Sequence, residues 1–89
     1  MELNFSKTGN VWAAEFVAEG DFNVHIEKAE GFTSFYQRTA GGKYGYVRDL
    51  GNLSGDETID FDFAALVYPK DIKIVCANQP VVGVVTFNE

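Results

Sequence analysis

Apolar and polar residues alternate along this chain almost without interruption, as in Phe22-Asn23-Val24-His25-Ile26-Glu27, Ile59-Asp60-Phe61-Asp62-Phe63 and Ile72-Lys73-Ile74. Successive side chains of a strand point to opposite faces, so each run yields one apolar face and one wet face. The pattern predicts an all-β domain from end to end, with nothing left over for a catalytic loop system, a tail or a second domain. Turn residues punctuate it regularly. Strands are expected over about residues 2–6, 11–19, 22–28, 32–39, 44–48, 57–64, 71–76 and 81–87, with Gly9-Asn10 and Ala40-Gly41-Gly42-Lys43 as hairpin loops. Gly51-Asn52 and Ser54-Gly55-Asp56 read as one longer polar connection, and a helical turn fits before Pro69 within 62–68. About eight short strands at even spacing is the pattern of a single compact antiparallel β-sandwich over residues 1–89, Ig-like or jelly-roll.

A domain of 89 residues has a thin stability margin, because only ~60–65% of its unfolded surface can be buried. Small domains compensate with disulfides, a metal or oligomerisation. Cys76 is the one cysteine and His25 the one histidine, which excludes an internal disulfide and a four-ligand zinc site. That leaves a dense core or a homo-oligomer. Eight Phe, four Tyr and one Trp supply the core amply, with part of the aromatic set expected as surplus for an interface. The last strand, Val81-Val82-Gly83-Val84-Val85, is apolar on both faces. It is expected as a central covered strand in preference to an exposed edge, with Gly83 marking a bulge or a close backbone approach.

The formal charge of −6, with seven basic residues scattered among thirteen acids, argues against nucleic acid and anionic membranes as partners. No apolar stretch approaches the ~20 residues of a membrane span. The opening Met1-Glu2-Leu3-Asn4-Phe5 has neither a basic nor a hydrophobic signal region, so a protein made and kept in a cytoplasm is expected.

Reaction chemistry finds little purchase. Asp60 and Asp62 share one strand face ~7 Å apart and could flank Ca²⁺ or act at glycosidase-like separation, but a solvated strand face is the preferred reading, since the stretch lacks the spacing of a calcium loop. His25 lies between Asn23 and Glu27 on a polar face without a nucleophile motif, and Cys76 reads as a small core residue. Gly41-Gly42-Lys43 lacks the spacing and the helix of a phosphate loop. No catalytic residue, metal ligand or cofactor is assigned, and the chain is read as not an enzyme. The aromatic residues with polar tips, Trp12, Tyr36, Tyr44, Tyr46 and Tyr68, form the candidate contact surface.

Taken whole, the chain resembles the small all-β structural proteins of tailed bacteriophages, nearest the auxiliary capsid (decoration) proteins of crAss-like phages. The resemblance rests on Met1-Glu2-Leu3-Asn4-Phe5, on Phe35-Tyr36-Gln37-Arg38-Thr39 with its Gly41-Gly42-Lys43 hairpin, and on the ending from Tyr68-Pro69-Lys70-Asp71-Ile72-Lys73-Ile74 to Val84-Val85-Thr86-Phe87. It implies a non-enzymatic virion protein, made in the host bacterial cytoplasm and located on the capsid surface. Its partners would be the major capsid protein or other virion subunits, joined by many weak contacts. The rival expectation is a carbohydrate-binding β-sandwich module that stacks sugars on Tyr36, Tyr44 and Tyr46.

Overall fold

The computed structural model describes residues 1–27, 30–38, 42–53 and 58–88. Eight strands follow one another: β1 (Ser6–Thr8), β2 (Val11–Ala18), β3 (Phe22–Glu27), β4 (Gly31–Arg38), β5 (Gly45–Leu53), β6 (Thr58–Phe63), β7 (Lys70–Cys76) and β8 (Val82–Phe87). No helix occurs among the described residues, so the stretch before Pro69 is a bend and not a helical turn.

Two antiparallel sheets face each other, one in the order β1-β2-β7-β4-β5 and the other β6-β3-β8. Residues 1–3 add to the second sheet along β8. Leu3 N–H donates to Gly83 O at 2.8 Å, Val85 N–H to Met1 O at 2.8 Å, and the Met1 ammonium to Val85 O at 2.9 Å. The first stretch of chain thus pairs with β8, β2 with β7, β3 with β6 and β4 with β5. Such nested pairs form one long hairpin, and rolling it up adds the β3–β8 and β4–β7 pairings. That is the jelly-roll arrangement, one of the two sandwich topologies compatible with the sequence pattern.

Alternation sorts the side chains as expected. Phe22, Val24 and Ile26 of β3 and Ile72, Ile74 and Cys76 of β7 turn inward and are buried. The centre is aromatic. The Phe22 ring lies 5.2 Å from Phe16, 4.9 Å from Phe63 and 6.1 Å from Phe87, and Phe35 lies 5.2 Å from Phe63 and 5.4 Å from Phe61. Edge and offset ring packing of this kind adds to area burial, so most of the phenylalanine supply goes to the core. The buried Thr33 hydroxyl donates to Cys76 Sγ at 3.6 Å. Burial pushes the Cys76 thiol up from its ordinary range, with the Thr33 bond opposing.

Three elements depart from the sequence reading. The first strand was expected at about 2–6. Instead residues 1–3 pair with β8, and the chain then crosses to the other sheet as β1. β5 runs on to Leu53, so Gly51 and Asn52 pair with Thr33 and Phe32 and are not part of a loop. Two register shifts accommodate this, leaving Leu50 and Val47 as extra residues on the edge strand. The Ser54-Gly55-Asp56 connection and much of the Ala40-Gly41 loop fall outside the described residues.

β8 is not covered on both faces. Val85 is fully buried, whereas Val82 and Val84 lie half-buried on the outer side, in register with Glu27 and His25. Its second edge is covered by residues 1–3. Gly83 marks the close approach: a methyl group there would sit 2.9 Å from the Phe5 ring and 3.3 Å from Leu3 Cβ.

Candidate functional site

The outer face of the five-stranded sheet gathers the polar and aromatic residues that the core does not use. The strand registers set its rows. Glu15, Lys73, Tyr36 and Tyr46 stand side by side across β2, β7, β4 and β5, and Val17, Asp71 and Arg38 form the next row. Tyr36 and Tyr46 meet edge to face, with ring centroids 5.8 Å apart at 70°. Tyr44 reaches back over the sheet, its ring centroid 4.3 Å from the Arg38 guanidinium carbon and 5.5 Å from Lys73 Nζ. Three of the five candidate residues are therefore brought onto one face.

Trp12 and Tyr68 do not join them. Trp12 has the parity of Ala14 and Phe16 along β2 and packs, half-buried, against the core. Tyr68 also packs there, and its hydroxyl accepts from Ala65 N–H at 3.0 Å and donates to Asp21 Oδ1 at 2.5 Å. That bond clamps the β6–β7 connection to the β2–β3 turn. Burial, followed by the bond to Asp21, raises the Tyr68 hydroxyl above its ordinary range.

Within the face, charges are paired. Arg38 Nε–H donates to Asp71 Oδ2 at 2.7 Å, and this bond chiefly raises the guanidinium pKa. Partial burial and then the Glu15 carboxylate raise Tyr44 above the ordinary phenol range, while Arg38 opposes them. Tyr46 is raised by burial first and by its bond to Asp49 second; Asp49 also accepts from Ser34 Oγ–H at 3.0 Å. The sequence reading grouped Tyr36, Tyr44 and Tyr46 as one surface. It missed Arg38, Asp71, Glu15 and Lys73, whose grouping depends on β7 lying between β2 and β4. Phe32, four residues before Tyr36 on β4, and Val47, next to Tyr46, were missed as well, and both are more than a third exposed.

The outer face of the three-stranded sheet holds the other candidates. Asn23 Nδ2–H donates to Asp60 Oδ1 at 2.6 Å and to Asp62 Oδ1 at 3.0 Å. His25 Nδ1 lies 3.2 Å from Asp60 Oδ2, and Nε2 lies 3.6 Å from Glu27 Oε2. Hydrogen bonding from Asn23, then from His25, holds the Asp60 carboxyl below the usual carboxylate range. These groups bind one another on an open surface, and no set of His, Cys, Asp or Glu positioned to hold a metal ion occurs among the described residues. Cys76 is buried, far from any nucleophile's requirement of access.

A hollow of about 400 Å³ at one end of the sandwich is lined, among the described residues, by Val17, Glu19, Gly20, Phe87 and Asn88, which include a single carboxylate side chain and no base. No helix among the described residues is long and apolar enough to cross a membrane. The chain matches no protein-family model, no curated protein and no solved structure.

Proposed function

We propose that this chain is a non-enzymatic structural protein of a tailed-bacteriophage virion, an auxiliary or decoration protein that binds the capsid surface. Its output is contact area. The observation that carries this reading is the set of exposed apolar side chains along β4 and β5: Phe32 is 42% exposed, Tyr46 58% and Val47 38%, with Tyr36 packed edge to face against Tyr46. Tyr and Phe are enriched in the cores of protein interfaces, where large rigid rings bury area at low entropy cost. The two bulges on β5 support docking through this face, because they discourage strand-on-strand pairing at its edge. The resemblance to phage decoration proteins gives the reading its biological setting: a capsid partner, synthesis in the host cytoplasm and residence on the virion. Repetition over a shell lets weak contacts sum through avidity.

Co-sedimentation of the purified chain with assembled capsids tests it. Binding is expected to saturate and to weaken about tenfold or more in Tyr46→Ala, the loss typical of an interface anchor. A wild-type chain left in the supernatant by the capsids of its own phage would remove the proposal.

A further inference from the structure

We propose a second binding site on the same sheet, beside the exposed set on β4 and β5: a pocket for one neutral sugar ring, built on Tyr44, Arg38, Asp71 and Glu15. The hollow here has a volume of about 210 Å³ and is lined by Glu15, Phe16, Val17, Arg38, Tyr44 and Asp71. It spans β2, β7 and the end of β4, one row along the sheet from Tyr36 and Tyr46. Drug-sized pockets enclose ~300–1,000 Å³, so this one suits a single ring or the terminal unit of a chain.

Its charge balance selects the ligand. Arg38 and Lys73 flank the Tyr44 ring, and Glu15 and Asp71 offset them one for one. A phosphate or carboxylate ligand meets two carboxylates; a metal or ammonium ligand meets two cations. A neutral ligand meets neither penalty, provided it donates and accepts hydrogen bonds over a short span. Arg38 spends its Nε–H on Asp71 Oδ2, which leaves, among the described residues, the two terminal guanidinium nitrogens as donors and Asp71 Oδ1 and the Glu15 carboxylate, which also takes a bond from Tyr44, as acceptors. Adjacent hydroxyls of a pyranose fit this pairing, each giving one bond and receiving another. Val17 and the part of the Tyr44 ring that Arg38 and Lys73 leave uncovered supply the apolar surface for the C–H side of such a ring.

The three-tyrosine platform expected from the sequence is replaced by this smaller site. Tyr36 and Tyr46 stand at 70° to each other and offer no shared plane for stacking. Arg38 and Lys73 hold Tyr44 across the sheet, so the ring is positioned before any ligand arrives.

The test is a titration of the ¹⁵N-labelled full chain with a panel of neutral monosaccharides and with inorganic phosphate. At least one sugar is expected to shift the amides of Glu15, Val17, Arg38, Tyr44 and Asp71 saturably, with a Kd in the millimolar range suited to a shallow site. Tyr44→Ala and Asp71→Asn should abolish the shifts, with the rest of the spectrum intact as the check on folding, while Tyr44→Phe should retain them. Tyr46→Ala should leave sugar binding unchanged while weakening capsid binding, which separates this site from the docking surface. Overturning results are no saturable shift well above millimolar sugar, retention of binding in Tyr44→Ala, or phosphate binding in place of sugar.

Discussion

At Gly31 the backbone enters β4 with φ +81°, and a methyl group placed there would sit 2.8 Å from Ala77 Cβ. Both the torsion and the space exclude a side chain. Gly31→Ala is expected to cost about 1–3 kcal/mol in urea unfolding. Gly20, with nothing within 4 Å of the corresponding position, is the control, and Gly20→Ala should stay within about 1 kcal/mol of wild type. A second residue-scale expectation concerns Asp60. Its pKa is lowered mainly by the Asn23 amide, so the linked stability is present above the ordinary Asp value of about 4 and is lost as pH falls through the lowered one. Asn23→Ala should move the Asp60 titration, followed by NMR, up toward the ordinary value. An unmoved midpoint would show that His25 alone holds it down.

At the scale of strands, protection should follow the sheet order. β3 and β7 are each hydrogen-bonded on both sides and carry the most buried side chains, whereas β1 is short and β5 is a bulged edge. Native-state hydrogen exchange is therefore expected to be slowest in β3 and β7 and fastest in β1 and β5. Comparable rates in β5 and β7 would mean that a neighbour covers the β5 edge in solution. The same strands mark how far the sequence could be read. Period-two alternation located β2, β3, β6 and β7 to within a residue or two, because each has one buried face. β5 misled because Gly51 and Asn52 look like a turn, yet they pair with Thr33 and Phe32 beyond the register shift between Thr33 and Ser34. The site was half legible. Tyr44 and Tyr46 were grouped from the sequence, but Trp12 was placed on the contact surface although it shares the inward parity of Ala14 and Phe16 along β2. Arg38 and Asp71 are 33 positions apart, and only the insertion of β7 between β2 and β4 brings them together.

For the molecule as a whole, nesting the chain into a rolled hairpin leaves its longest-range contact for the outermost pair. The Met1 ammonium and Val85 O, 84 positions apart, close the largest loop, while β4 and β5 close the smallest among the nested pairs. Loop closure costs more entropy as the loop grows, so the inner pairs are favoured early and the residue 1–3 clasp on β8 late. Non-local β topologies of this size fold in milliseconds to seconds. Leu3 tests the order, since it is 9% exposed, lies against Gly83 and joins the clasp to the core cluster. Leu3→Ala should destabilise by about 2 kcal/mol through lost burial. If the clasp forms after the rate-limiting step, nearly all of that appears as unfolding about 30-fold faster, with the refolding rate almost unchanged. Stopped-flow chevrons would read both arms. A slowed refolding arm would instead put the clasp in the nucleus, and with it the pairing of β8 before the sheets close.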